Sequence, residues 1–372
     1  MTASYDAFLL TSFGGPEKPA DVMPFLENVT RGRSIPRERL EAVAHHYLAL
    51  GGVSPINGQN RALMAALQDE FERRGLGLPI YWGNRNWDPF LAPALRQIDA
   101  DGHRRVIAFA TSAYSSYSGC RQYREDLAAA LLETGLDGRL VIDKIRLYFD
   151  HPGFITPFAE SLGAALAELA SDGIQPDATR VLFTTHSIPL SMAAASGPPG
   201  RFDENGAYIA QHRAAIDAVV AEAARRGALV PRHSLVYQSR SGAPHSPWLE
   251  PDVNDALREA AAEGATAVII VPIGFISDHV EVVWDLDHEA RQTCDDLRLQ
   301  MIRVATPGTH PAFVAAIADL VRERALAEPP LALSELGPWA SVCAVGCCAN
   351  QGGVVPTVAG ADSTVGVMAA AT

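Results

Sequence analysis

The feature that most constrains this 372-residue chain is a rhythm: short apolar runs of strand length, separated by longer stretches of helical period. The runs predict strands at Ala7–Ser12, Leu78–Trp82, Val106–Ala110, Leu140–Ile145, Val181–Thr185, Leu235–Gln238, Ala267–Pro272 and Gln300–Val304. Helical patterns fall between them at Arg39–Leu50, Arg61–Arg74, Tyr123–Thr134, Phe154–Leu169, Tyr208–Arg226, Val253–Glu263 and Val280–Cys294, with a last one at Pro311–Leu326. Strands apolar on both faces, each followed by a helix, predict parallel sheets covered by helices on both sides.

The rhythm runs twice. Phe8-Leu-Leu-Thr-Ser-Phe-Gly-Gly-Pro16 parallels Val181-Leu-Phe-Thr-Thr-His-Ser-Ile-Pro189, and Val106-Ile-Ala-Phe-Ala-Thr-Ser parallels Val268-Ile-Ile-Val-Pro-Ile-Gly. Asn86-Trp-Asp-Pro89 echoes Trp248-Leu-Glu-Pro251. This order predicts a duplicated α/β unit: two similar Rossmann-like halves, residues 1–150 and 151–327, joined near 150–154. Ligands of open α/β sheets bind beyond the strand C-termini, which here face a cleft between the halves. No GxGxxG follows a strand, so a dinucleotide site has no support. From residue 328 Lys and Arg disappear and Ala, Gly, Val and Pro dominate, which marks a C-terminal extension over 328–372. Its last part, 352–372, reads as a poorly ordered tail.

A net charge of −13 argues against nucleic acid as a partner, since phosphate binding needs a basic surface. No basic region precedes the first apolar residues, and the longest apolar stretch, Ala265–Ile276, is too short for a bilayer. The expectation is a cytoplasmic protein without a transmembrane segment. Five cysteines do not suggest a disulfide framework there.

Chemistry concentrates after two of the repeated strands. His186 directly follows Val181–Thr185; alone, such a residue is ordinarily a loop histidine. After Ala267–Pro272, the strand that repeats Val106–Ala110, Glu281, Asp285 and Glu289 recur at i, i+4, i+8, one face of a helix. An exposed acidic face is the plain reading, but Val280, Val282, Val283, Trp284 and Leu286 leave little room for a solvated side. A carboxylate row leading into a cleft suits a hard divalent cation or proton relay, and crowding should raise at least one of the pKa values. In the first half, Arg31, Arg33, Ser54, Tyr114, Ser116 and Tyr117 are candidate donors to an anionic ligand.

These residues carry a resemblance. Thr184-Thr-His-Ser-Ile-Pro189 resembles the histidine signature of ferrochelatases, and Phe275-Ile-Ser-Asp-His-Val-Glu281, continuing through Asp285 and Glu289, resembles their acidic motif. Supporting blocks are Ser12-Phe-Gly-Gly-Pro16, Asn28-Val-Thr-Arg-Gly-Arg33, Gly51-Gly-Val-Ser-Pro-Ile-Asn57, Tyr81-Trp-Gly-Asn-Arg-Asn-Trp87 and Pro247-Trp-Leu-Glu-Pro251. The chain is most similar to the actinobacterial form, which acts on coproporphyrin III. The resemblance implies a lyase of haem biosynthesis that inserts Fe²⁺ into coproporphyrin III. The product, coproheme, passes to a decarboxylase. Protoporphyrin IX as substrate, another tetrapyrrole chelatase, and a porphyrin or haem carrier without turnover are the competing readings.

Carried over by this resemblance, His186 and Glu281 meet the substrate iron and the pyrrole protons, in an order the resemblance leaves open. Asp285 and Glu289 form an acidic path, and the six first-half residues stand as the candidates for the propionates. Some relatives carry an iron-ligating Tyr in the loop after the first strand; Glu17 is taken as the matching residue here, which argues against a tyrosinate ligand. The resemblance also implies a 2Fe–2S cluster on Cys120, Cys343, Cys347 and Cys348, with Cys294 left over, and zinc is the rival occupant. A monomer is expected.

Overall fold

A computed structural model describes residues 5–32, 35–241 and 246–365. Its strands form two four-stranded sheets, parallel throughout. In the first, β1 (Ala7–Ser12), β2 (Ile80–Asn84), β3 (Arg105–Ala110) and β4 (Val141–Lys144) lie in the order β2-β1-β3-β4. In the second, β5 (Thr179–His186), β6 (His233–Gln238), β7 (Ala267–Val271) and β8 (Gln300–Arg303) lie in the order β6-β5-β7-β8. The two orders are the same, as a duplication requires. The sequence echoes occupy equivalent places: β1 and β3 are the two inner strands of the first sheet, and β5 and β7 those of the second. The Asp-Pro and Glu-Pro turns also close alike. Asn84 N–H donates to the Pro89 carbonyl (2.6 Å) after β2, and Tyr237 N–H to the Pro251 carbonyl (2.9 Å) after β6.

The helices of the first half are α1 (Val22–Val29), α2 (Arg37–Ala49), α3 (Pro55–Arg74), α4 (Leu91–Ala100) and α5 (Gln122–Thr134). Those of the second are α6 (Pro152–Ser171), α7 (Leu190–Ala194), α8 (Gly206–Arg225), α9 (Val253–Ala262), α10 (Val280–Val282), α11 (Arg291–Leu297) and α12 (Pro311–Leu326). Periodicity does not reveal α1, α4 or α7. Pro24 and Pro93 interrupt the pattern of α1 and α4, yet each stands in a first turn, where no intrahelical N–H bond is lost. α7 has only five residues.

Alternation along the strands divides the core. Phe8, Leu10, Ile107 and Phe109 face inward and join Phe154, Phe158, Phe183, Ile269 and Phe313 in one cluster that runs through both halves. Ala7, Leu9, Val106 and Ala108 face outward, against Leu91 and Leu95 of α4 and Leu127 and Leu131 of α5. The connection near 150–154 is therefore no exposed hinge. Tyr148, Phe149, Asp150 and His151 are all buried where the inner faces meet.

The poorly ordered tail expected from residue 352 is not what forms as far as Val365. Thr357, Val358 and Val365 are buried. Arg124 of α5, itself wholly buried, donates to the Val358 carbonyl (2.8 Å) and pairs with Asp362. An extension without Lys or Arg is held by cations from the body of the protein. Among the described residues, no helix is long and apolar enough to cross a membrane.

Candidate active site

β5 delivers His186 at its C-terminal end, and the chain then turns sharply. Ser187 N–H donates to the Gln238 carbonyl (2.7 Å), and Ser187 Oγ donates to the Leu249 carbonyl (2.8 Å). The His186 ring bonds the Ser187 carbonyl through Nδ1. A carbonyl only accepts, so Nδ1 carries the proton and Nε2 holds the lone pair of the neutral ring. Nε2 lies 3.8 Å from Glu281 Oε2. His186 and Glu281, ninety-five residues apart in sequence, thus face each other across the end of the second sheet.

Glu281 sits on α10, locked by buried Val280 and Val282 on either side. The helical stretch predicted from Val280 is present, but its middle, Val283–Ala290, is a π-helix between α10 and α11. Such widened turns gather at functional sites. Exposure rises along the row from Asp285, half-buried, to Glu289, exposed. Asp285 accepts from Ser239 Oγ and from Gln238 Nε2 (3.2 Å). Glu289 accepts from Trp284 Nε1 (2.8 Å). The expected crowding acts on Asp285. Burial pushes its pKa up to about 7, the Glu281 and Glu289 charges add to the rise, and the Ser239 and Gln238 hydrogen bonds oppose it.

His186 and Glu281 open onto a cavity of about 380 Å³ between the halves. Phe13, Phe25 and Tyr123 wall it from the first half, and Ile188, Met192 and Trp248 from the second. Ser54, Ser112, Ser116, Ser118 and Gln122 give it polar spots. The arrangement suits a flat apolar molecule with polar substituents, presented to an imidazole–carboxylate pair.

The family model described as ferrochelatase matches residues 5–325. This chain belongs to the ferrochelatase family. Its sequence is 55% identical to the coproporphyrin III ferrochelatase of Leifsonia xyli subsp. xyli, over 96% of this chain and 94% of that protein. It is 54% identical to the coproporphyrin III ferrochelatase of Streptomyces griseus subsp. griseus, over 97% of each. Among solved structures, the sirohydrochlorin chelatase SirB from Bacillus subtilis subspecies spizizenii, in complex with cobalt, matches 87% of this chain and 96% of that one at 12% identity and a TM-score of 0.45.

In this ferrochelatase the propionate candidates divide. Ser54 and Ser116 line the cavity. Tyr114 lines it too, but its hydroxyl is committed to the Ile273 carbonyl of the other half (2.9 Å) and its ring stacks on His212 at 3.6 Å. Tyr114 is therefore a strut between halves and not a free donor. Tyr117 turns the other way: its hydroxyl donates to Glu125 (3.0 Å) and accepts from Asn350 of the C-terminal extension (3.0 Å). Arg31 is exposed, two residues past Val29, which lines the cavity. Arg33 lies outside the described residues. Glu17 pairs with Arg61 (2.6 Å) away from the cavity, while Phe13 and Gly14 of the same loop line it.

Sequence reasoning missed Arg85. It follows β2 directly, lines the cavity, pairs with Asp126 and lies 4.7 Å over the Tyr123 ring. The available signal was an arginine at the C-terminal end of a sheet strand.

All five cysteines are free and buried. Cys294 packs apart from the others, in the outer core of the second half. The extension folds back so that the other four meet: Cys120 neighbours Cys343 and Cys348, and Cys347 neighbours the same two. Cys347 Sγ and Cys348 Sγ are 3.9 Å apart. The Cys120 and Cys347 thiols bond Cys343 and hold it well below the ordinary thiol range. Gly197 N–H donates to Cys348 Sγ (3.2 Å). Among the described residues, no group of three or more His, Cys, Asp or Glu side chains is arranged to hold a metal ion.

Proposed function

We propose that this ferrochelatase inserts Fe²⁺ into coproporphyrin III, releasing two protons and coproheme. The carrying observation is the His186 Nε2–Glu281 pair at 3.8 Å on the wall of the interdomain cavity. The lone pair on Nε2 takes the two pyrrole protons in turn as iron enters, passing the first on before it receives the second. Glu281 stabilises the imidazolium that results. Asp285, titrating near neutral pH, receives protons onward, and Glu289 opens the row to solvent. A carrier would have no use for such a pair. Coproporphyrin III is favoured because four propionates engage the cavity's serines, Gln122 and Arg85 more fully than two, and because the relatives above carry that substrate in their names. The enzyme acts as a cytoplasmic monomer whose product goes to a decarboxylating enzyme.

The test is fluorescence loss of free porphyrin on adding Fe²⁺ anaerobically. Coproporphyrin III should be metalated faster than protoporphyrin IX. Equal or reversed rates overturn the substrate assignment. Binding of both without metalation establishes the carrier instead.

A second reading concerns the thiols. We infer that Cys120, Cys343, Cys347 and Cys348 hold a 2Fe–2S cluster. The fit rests on four buried neighbouring thiols, the Gly197 N–H at the Cys348 sulfur, and the Lys144 and Arg124 charges that bear on Cys343 and favour anionic sulfur. The cluster would act as a staple, tying the extension to the body. Protein purified without oxygen should be reddish-brown, with about two iron and two sulfide per chain. Serine at any of the four positions should bleach it, and Cys294→Ser should not. Zinc at the same positions in place of iron and sulfide sinks this reading.

A further inference from the structure

Behind His186 stands a residue with no assigned role. Tyr208, in the first turn of α8, is 6% exposed, and its hydroxyl reaches the end of β5. It donates to the His186 carbonyl (2.8 Å) and accepts from Thr185 Oγ1 (2.8 Å). Both hydrogen-bonding capacities of the hydroxyl are therefore used on the backbone and neighbour of His186, although Tyr208 is part of the cavity wall.

The hydroxyl is itself firmly placed. Tyr208 N–H donates to Ser196 Oγ (2.8 Å), and Ala207 N–H to the Ser196 carbonyl (3.1 Å). Gly206 enters the helix at φ +68°, and a Cβ there would lie 1.8 Å from the Ala193 carbonyl oxygen, so only glycine permits this approach. On the far side Gly274 packs against Thr185, where a Cβ would lie 2.1 Å from Oγ1. Gly197 then joins the C-terminal extension: its N–H donates to Cys348 Sγ (3.2 Å) and its carbonyl accepts from the Cys348 N–H (3.1 Å).

The His186 ring is oriented by the next peptide, through Nδ1 and the Ser187 carbonyl. The peptide before it, His186–Ser187, is held at both ends: its N–H donates to the Gln238 carbonyl and its carbonyl accepts from Tyr208. We propose that Tyr208 is a positioning residue of the metalation reaction. Its hydroxyl fixes the plane of the His186–Ser187 peptide and so aims Nε2 at the centre of the bound macrocycle. Without it, a buried carbonyl loses its partner and the peptide tilts, carrying the ring with it.

The inference rests on His186 acting in proton removal, so His186→Ala is measured alongside. In the full-length protein, Tyr208→Phe keeps the ring and removes only the hydroxyl. kcat should fall about tenfold. Porphyrin affinity, read by fluorescence titration, should stay within about twofold, and the acid limb of the kcat–pH profile should shift. Thr185→Val should move kcat and the pH profile the same way by less, and Thr185→Ser should restore both. An unchanged kcat and pH profile in a folded Tyr208→Phe protein overturns the proposal. So does a loss of porphyrin affinity equal to the loss of rate, which would make Tyr208 a plain porphyrin contact. If Tyr208→Phe does not fold, unchanged kinetics in Thr185→Val overturn it. An active His186→Ala protein would instead overturn the reading beneath it.

Discussion

Replacing His186 by Ala should lower kcat about 10²- to 10⁴-fold, the range for loss of a positioned proton acceptor, while porphyrin still binds. The reason lies in how the ring is held. Nδ1 is committed to the Ser187 carbonyl, and Nε2 faces Glu281 at 3.8 Å on the cavity wall. The apolar walls, Phe13, Phe25, Tyr123 and Trp248, do not depend on the imidazole. Truncation therefore removes an interaction made during reaction and leaves ground-state binding in place, which appears as a fall in kcat at constant affinity. Stopped-flow fluorescence separates the two. Glu281→Gln should behave alike, because it keeps the shape and removes the charge. Asp285 and Glu289 variants should be milder, since each is one station in a row increasingly open to water. A His186→Ala protein with most of its kcat would reduce His186 to a loop residue.

Most of this fold was legible because its strands are buried on both faces. Ala7–Ser12 is apolar without alternation up to its polar C-terminal end, as is Ala267–Val271 throughout, and each was placed to within a residue. The duplication was legible because the same strands recur in the same order. The π-helix was not, since Val283–Ala290 carries no breaker or change of pattern that would mark a widened turn. His186 and Glu281 could be paired from the chain because both follow inner strands of one sheet. Tyr114 and Tyr117 could not be sorted from a run of Tyr and Ser. Whether a hydroxyl faces the cavity or meets Ile273, Glu125 or Asn350 depends on partners far away in sequence.

Replacing Asp362 by Ala should destabilise the protein by about 3–5 kcal/mol, the usual loss when one partner of a buried ion pair is removed. Among the described residues Arg124 is the largest fully buried side chain, and Asp362 is its carboxylate partner. Asp362 also takes Arg121 at 2.9 Å. Without it, the Arg124 guanidinium keeps only the Val358 carbonyl and Thr357 Oγ1, and its charge stays in the core unpaired. Burial alone would raise the Asp362 pKa, but hydrogen bonds and charge from Arg124 and Arg121 outweigh it and hold the carboxyl below its ordinary value. A depressed folded pKa fixes the sign. The contribution is fully present above the unfolded carboxyl value of about 3.9 and is lost as pH falls through the lower folded value. The wild-type minus variant difference in urea midpoint should therefore be flat near neutrality and shrink only in strong acid. Arg124→Met combined with Asp362→Leu should recover part of the loss, because it removes the stranded charge along with its partner. Equal midpoints for wild type and Asp362→Ala at neutral pH would mean that residues 357–365 add nothing to the body, and that the thiols of Cys343, Cys347 and Cys348 reach Cys120 without this clamp.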